Sequence, residues 1–496
     1  MDQTLAVLGV LAYGFIFVIG VGALITTVLF VIDVTQTKHA VRRNFPVIGR
    51  FRYLFEHLGE FFRQYFFALD REELPFNRAE RSWAYRASKG GDNTIAFGST
   101  RDLRRVGTVI FVNDAWPVLE TDVAEPGSLT IGPYCEFPYT TNSLINISAM
   151  SYGAISRPAV LALSRGAKKA GIWLNTGEGG LSPYHLDGGA DLVFQLGTAK
   201  YGVRDAEGRL SDDRLKAMAA RPELVMFEIK LSQGAKPGKG GILPGVKVTE
   251  EIAQIRGIPV HQASISPNRH PEIDSAADLL DMIERIRRVT GKPTGFKAVL
   301  GTSAWLDELY AEIHRRGIES APDFISVDSG DGGTGAAPMP LMDSVGMVIR
   351  ESLPLLVDGL VGAGLRDRIK VIASGKMVIP SEVAWAFCVG ADFVVSARGF
   401  MFALGCIQAM QCNKNTCPTG VTTHNKRLQR GLDPTHKAVR VYHYAETMKK
   451  EVGMIAHSCG VTEPRRLTRA HCRIVVESGR SVPLDVMYPP VAPPAA

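Results

Sequence analysis

Three hydrophobic patterns follow one another along the chain. The first is an unbroken apolar run. No charged residue occurs between positions 3 and 32, and positions 5–32 are almost wholly aliphatic or aromatic. Roughly 20 such residues cross a bilayer as a helix. A secretory signal carries a shorter apolar stretch, about 7–15 residues, behind a basic start. Here Asp2 leads the run, and Lys38, Arg42, Arg43, Arg50 and Arg52 follow it. The pattern predicts one N-terminal transmembrane helix within residues 1–37. The basic flank behind it places the remainder of the chain in the cytoplasm by the positive-inside rule.

The second pattern fills residues 38–130. From 45 to 69 aromatic residues (Phe51, Tyr53, Phe55, Phe61, Phe62, Tyr65, Phe66 and Phe67) are interleaved with Arg and Glu. An amphipathic helix lying at headgroup level has this composition, and so does a helix packed on a following domain. Residues 75–130 are mixed, with turn signals at Lys89-Gly-Gly-Asp and Glu125-Pro-Gly, and read as an irregular entry segment.

The third pattern is an alternation of short apolar runs with longer helical periodicities. Strand candidates are 144–149, 172–175, 191–196, 224–229, 295–300, 324–327, 369–373 and 393–396, with helical stretches at 157–170, 276–289, 305–316 and 380–389. Strand–helix alternation predicts a parallel sheet. Eight repeats predict an α/β fold of the closed (β/α)8 TIM barrel type over residues 131–455, with the active site at the C-terminal ends of the strands. An open doubly wound sheet is the alternative. Residues 456–496 form a C-terminal extension whose Pro-rich tail, from Tyr488, is expected to lack fixed structure.

Composition changes this picture little. The 496 residues are 46% hydrophobic and 21% charged, with a net charge of +6 that is small for the length. Nucleic-acid binding would call for a clustered basic face, so none is expected. Seven cysteines make an odd, sparse set, which fits a reducing compartment better than a disulfide framework.

Three of those cysteines do change the picture. Cys406, Cys412 and Cys417 crowd the loop 405–420, and Pro418 and Gly420 mark a turn there rather than a core element. Soft thiolates suit iron–sulfur clusters or zinc. With no fourth cysteine nearby, the set fits a cluster lacking one iron, or a zinc completed by His424. Three buried free thiols are the bland reading, since Cys packs as a small hydrophobe.

Unusual residues also gather at the predicted strand ends: Ser148-Ala-Met-Ser-Tyr-Gly, Asn175-Thr-Gly-Glu-Gly-Gly, Lys230-Leu-Ser-Gln-Gly-Ala-Lys-Pro-Gly-Lys-Gly-Gly, Lys297, Asp328-Ser-Gly-Asp-Gly-Gly-Thr-Gly, Ser374-Gly-Lys and Ala397-Arg-Gly. Glycine-rich turns opening onto helices present backbone N–H groups to anions. Gly330-Asp-Gly332-Gly-Thr-Gly335 matches a dinucleotide fingerprint after a strand, but Pro338 and Pro340 follow where a helix has to open. A lysine on a strand, Lys297, is costly to bury unless it meets an anion.

The cysteine loop, followed by Pro-Thr-Gly-Val-Thr-Thr, resembles the cluster loop of the glutamate synthases. The strand-end motifs from Ser143 to Glu451 resemble that family's flavin domain in the same order. The resemblance implies a [3Fe–4S] cluster on Cys406, Cys412 and Cys417. It implies FMN held by Ser148, Met150, Ser151, Lys297, Gly332, Gly333, Gly375, Ala397 and Arg398, with Lys297 facing the negative N1 and O2 of reduced flavin and Arg398 on the phosphate. It implies a 2-oxoglutarate site of Lys236, Arg256 and Gln233, with Glu178 and Lys236 as catalytic residues. The implied reaction delivers hydride to the imine of a 2-oxo acid and ammonia, giving glutamate.

The chain departs from the family pattern in several places. The amidotransferase domain, with its N-terminal cysteine, has no counterpart after Met1-Asp2, so ammonia is expected from solution or from a separate amidotransferase subunit. No pyridine-nucleotide domain is visible, so ferredoxin or a separate NADPH-oxidising flavoprotein is expected as electron donor. Leu181-Ser182, Lys239 and Ile242 replace the family's Glu-Asp, Glu and Gln. Two other readings follow: an amine transferase like the N-methylglutamate synthases, and a non-catalytic, membrane-tethered electron carrier or scaffold.

Overall fold

Eight short strands pair in parallel and close on themselves. They are β1 (Ile145–Ile147), β2 (Leu174–Asn175), β3 (Leu192–Leu196), β4 (Leu224–Lys230), β5 (Thr294–Val299), β6 (Phe324–Asp328), β7 (Lys370–Ser374) and β8 (Phe393–Ser396). Each pairs with its neighbour in sequence, and β8 returns to β1 through Val394↔Ile145 and Ser396↔Ile147. The sheet is therefore a barrel, not an open doubly wound sheet, and every predicted strand is one of its staves. A parallel barrel strand is covered on both faces, which is why these runs read as continuous apolar stretches. The computed structural model describes residues 2–62, 66–477 and 479–494, and the chain divides into two units, 1–79 and 80–496.

Within the second unit the barrel interior is layered. Its N-terminal end is closed by a dry cluster of Ile131, Trp173, Val193, Met226, Phe324, Ile372, Phe393 and Val395. Trp173 meets Phe393 edge to face with ring centroids 5.1 Å apart. Above this layer lies a polar one. Buried Glu228 on β4 accepts hydrogen bonds from Asn175 Nδ2 at 2.9 Å, Gln195 Nε2 at 2.6 Å and the Ser326 hydroxyl at 2.7 Å. Four strands are thus tied through one carboxylate just beneath the C-terminal mouth.

The outer helices follow their caps. Ser156 accepts from Ala159 N–H to start Arg157–Ala170, and Gly171 ends it at φ 64°. That helix packs against the 25-residue helix Pro434–Ser458 so closely that a Cβ on Gly166 would lie 2.5 Å from Val441.

Two expectations change. The entry segment is not irregular throughout: Arg78–Ser88 is a helix that buries Ala84 and Ala87, and Val109–Phe111 pairs antiparallel with Cys472–Glu477 of the C-terminal extension. Among the described residues the tail has no helix or strand after Met487, yet it is docked. Tyr488 donates to Arg350 O at 3.2 Å, and Pro494 packs beside Gly364.

In the first unit, Asp2–Thr35 forms one helix. Among the described residues, positions 3–35 are the one helical stretch long and apolar enough to cross a membrane. Near its end Asp33, fully buried, accepts both Arg50 Nε and Nη2 at 2.8 Å and Val47 N–H at 3.0 Å. The aromatic stretch includes the helix Gly49–Phe62, with Phe51, Leu54, Phe55 and Phe62 exposed; Tyr65 lies outside the described residues.

At the foot of β6, buried Asp323 accepts from Arg368 Nη2 at 2.8 Å, Arg287 Nε at 3.1 Å and Thr294 N–H at 2.8 Å. Removing one partner of a buried ionic group strands the others. Asp323→Ala is expected to destabilise the barrel by about 3–5 kcal/mol, to be read by thermal unfolding followed by circular dichroism.

Candidate functional site: a cationic cavity beside a three-thiol pocket

The C-terminal ends of the strands surround an open cavity of about 170 Å³. The loops that line it are the glycine-rich stretches after β1, β2, β4, β6, β7 and β8. Of the predicted residues, Ser148, Met150, Ser151, Glu178, Gln233, Lys236, Arg256, Lys297, Gly333, Gly375, Ala397 and Arg398 all line it. Gly332 does not. Its N–H donates to Ser329 O at 2.9 Å, and its Cα packs beneath Gly234. The adjacent Gly333 faces the cavity instead.

Glycine is required here by contact as much as by conformation. Glu178 is wedged between two glycines: a Cβ on Gly197 would lie 2.6 Å from its side chain, and one on Gly241 2.4 Å. Gly375, at φ 135°, lies so close to Ser329 that a Cβ would sit 2.3 Å from that side chain.

Charge defines the cavity. Four buried cations, Lys230, Lys236, Arg256 and Lys297, face two carboxylates, Glu178 and Asp328. Lys230 Nζ contacts Glu178 Oε1 at 2.9 Å and also donates to Gln233 Oε1. Lys297 Nζ stands 3.7 Å from Asp328. Lys236 forms no ion pair among the described residues. Arg256 donates from Nη2 to Tyr152 O at 3.2 Å, and its buried Nε has no hydrogen-bond partner there. Burial alone would raise the Glu178 carboxyl, but Lys230, Lys236 and Arg256 outweigh it and hold it down at about 2. Burial, reinforced by repulsion from Lys230, pushes Lys236 down to about 8. Burial likewise lowers Lys230, with Glu178 opposing, and Arg256. The surplus of positive charge suits an anionic ligand.

Lys230 and Asp328 are the site residues that motif reading passed over. Each had a signal: a charged residue at the C-terminal end of a barrel strand.

The replaced residues fall in different places. Ser182 is structural, since it caps the turn Pro183–Leu186 with His185 Nδ1. Ile242 lines the cavity beside Leu243.

A second, small cavity adjoins the first. Cys406, Cys412 and Cys417 all line it. Met401, Cys412 and Thr422 line both cavities and so form a common wall. Arg398 lies along it, with Nη1 3.4 Å from Met401 Sδ and 4.0 Å from Cys412 Sγ, and Nη2 donating to Thr334 O at 2.5 Å. Tyr85, on the helix missed in the entry segment, donates to Cys406 O at 2.6 Å and braces the loop. Burial raises the Cys406 thiol. Burial acts the same way on Cys417, but hydrogen bonds from Thr419 and Thr422 outweigh it and lower that thiol. His424 stands apart: its Nε2 donates to Gly153 O at 2.9 Å and its ring packs on Tyr152. Among the described residues no three His, Cys, Asp or Glu side chains converge on a point for a single metal ion, so the zinc reading with His424 is not supported.

The fold and site define an α/β barrel with a cationic cavity at its mouth and a thiol-lined pocket next to it. Residues 104–462 match the family model for the conserved region in glutamate synthase. The glutamate synthase large subunit-like protein YerD of Bacillus subtilis (strain 168) is 38% identical over 512 residues, covering 95% of this chain and 97% of that protein. The archaeal-type glutamate synthase (NADPH) of Thermotoga maritima is 33% identical over 319 residues, 64% of this chain and 59% of its own. The archaeal glutamate synthase (NADPH) of Methanocaldococcus jannaschii is 33% identical over 329 residues, with the same shares of 64% and 59%. The chain belongs to the glutamate synthase family of oxidoreductases.

Lys236 carries its charge below about 8 and loses it above. A dicarboxylate ligand of this cavity is therefore expected to bind up to about tenfold more weakly at pH 9 than at pH 7, the limit for one group that loses its proton near 8. Calorimetric titration across that range checks this, and Lys236→Met should flatten the dependence.

Proposed function

We propose that the chain is a membrane-anchored oxidoreductase that uses FMN and a [3Fe–4S] cluster to convert a 2-oxo acid, 2-oxoglutarate first among them, into its amino acid. Ammonia and the electron donor come from outside the chain. The observation that carries this reading is the wall of Met401, Cys412 and Thr422 shared by the cationic cavity and the three-thiol pocket. Two redox groups seated on either side of one layer of side chains are close enough to exchange electrons.

The residues present fit both groups. Gly333, Gly375, Ala397 and Arg398 come from the loops after the last three strands, where barrels usually hold phosphate. Ser148, Met150 and Ser151 line the same cavity, and Lys297, only loosely paired with Asp328, retains charge for a second anion. FMN bound there supplies hydride transfer to an electron-poor carbon. Three soft sulfur donors around one small cavity suit an iron–sulfur cluster, which supplies one-electron transfer.

The chain's own groups do the rest. Lys236 and Arg256 bind and orient the carboxylates of the substrate; a guanidinium does so bidentately. Glu178, anionic and flanked by glycines, sits where it can accept a hydrogen bond from the substrate's amino nitrogen and stabilise positive charge developing there. Lys230 holds that carboxylate at 2.9 Å and, as a buried ammonium, can donate a proton to an oxygen leaving as water. Gln233 fixes Lys230 in turn. Ile155, Ile242 and Leu243 keep this end of the cavity free of water.

The helix Asp2–Thr35 anchors the protein in the membrane, with the barrel in the cytoplasm as the basic flank directs. Deleting residues 1–37 is expected to move the protein from the membrane pellet to the soluble fraction while leaving flavin content unchanged.

Protein purified without air is expected to be coloured and to contain both flavin and iron. Cys412→Ala should lose the iron and keep the flavin. Reduced protein should be reoxidised by 2-oxoglutarate plus ammonium, forming glutamate. A methylamine-dependent product formed from glutamate would favour amine transfer, and a colourless, iron-free protein would remove the reading altogether.

A further inference from the structure

Lys247 is a buried lysine with no acidic partner. It ends the short turn Gly245–Lys247 and is 2% exposed. Its ammonium donates to Ala154 O at 2.6 Å and to Cys412 O at 3.3 Å. Among the described residues no Asp or Glu forms an ion pair with it. The other buried lysines behave differently. Lys200, Lys230 and Lys297 meet Glu272, Glu178 and Asp328 at 2.9, 2.9 and 3.7 Å, and Lys236 faces the open cavity. Lys247 lines neither cavity.

An ammonium buried against carbonyls alone keeps hydrogen bonds but has no counter-charge, and burying such a charge is expensive. Burial pushes this ammonium down to about 8, and the sulfurs of Cys412 and Cys417 are the groups that oppose the shift. One of its two carbonyl partners belongs to Cys412 itself. The other, Ala154, lies in the loop after β1 that lines the larger cavity. The lysine therefore clamps the cysteine loop to the wall of that cavity.

We infer that Lys247 is the resident counter-cation of the Cys406–Cys412–Cys417 centre, matched in charge when the loop carries an anionic metal–thiolate group, and that it raises the reduction potential of that centre. This rests on the iron–sulfur reading above. A fixed positive charge favours the form with one more electron, and net charge and hydrogen bonding around the sulfurs are among the levers that set cluster potentials.

The test uses the full chain purified without air, as wild type and as Lys247→Met, Lys247→Gln and Lys247→Arg. Iron, sulfide and flavin are counted, and the midpoint potential of the centre is read by redox titration followed by electron paramagnetic resonance. Met and Gln are expected to shift the potential to more negative values, or to lose iron at unchanged flavin content. Arg, which keeps the charge, is expected to retain iron and to lie nearer the wild-type potential. Wild-type potentials in the Met and Gln variants overturn the inference. So does equal loss of iron from all three variants at full flavin content, which would mark a packing role. A wild type without iron defeats the iron–sulfur reading itself, a result distinct from either.

Discussion

The mouth of this barrel holds more positive charge than it neutralises. Lys230, Lys236, Arg256 and Lys297 are each no more than 6% exposed, against the two carboxylates of Glu178 and Asp328. Desolvating a charge without a partner opposes folding, so a stable protein tolerates such a surplus only where a ligand supplies the difference. The rest of the structure serves this arrangement. The dry layer of Trp173, Phe324 and Phe393 and the Glu228 network above it provide a rigid floor. The glycines at the strand ends let backbone and carboxylate approach where a side chain would collide.

The same logic extends past the cavity wall. Arg398 stands 4.0 Å from the Cys412 sulfur and Lys247 donates to the Cys412 carbonyl, so both cations meet the cysteine loop rather than a carboxylate. Positive charge thus runs from the substrate end of the cavity, past the common wall, to the cysteine loop. A fixed line of positive charge lowers the energy of any anion placed along it.

Much of this was legible in the sequence, for identifiable reasons. Barrel strands are short, covered on both faces and bounded by glycine and polar residues, so all eight could be read to within a residue or two. Site residues cluster at strand ends, so twelve of the thirteen residues expected around the cavity line it. The exception, Gly332, shows the limit: a glycine-rich stretch reveals that backbone N–H groups are accessible but not which one turns inward. The helix Arg78–Ser88 escaped notice because it is rich in charge and buries Arg81, Ser88 and two alanines rather than an apolar stripe. The pairing of Val109–Phe111 with Cys472–Glu477 joins segments more than 350 residues apart, and nothing in either three-residue or six-residue run announces its partner. Lys230 was hidden because a lysine ending a strand looks like one that reaches solvent, until the barrel closes around it.

The glycine wedge around Glu178 has a consequence for how this enzyme class diversifies. Gly197 and Gly241 leave the carboxylate no alternative position, so that half of the pocket is frozen by backbone geometry. Ile155, Ile242 and Leu243 line the same cavity with aliphatic side chains. Change in the pocket's shape is thus sterically open along the aliphatic rim and closed at the glycines, where any added side chain collides with the carboxylate.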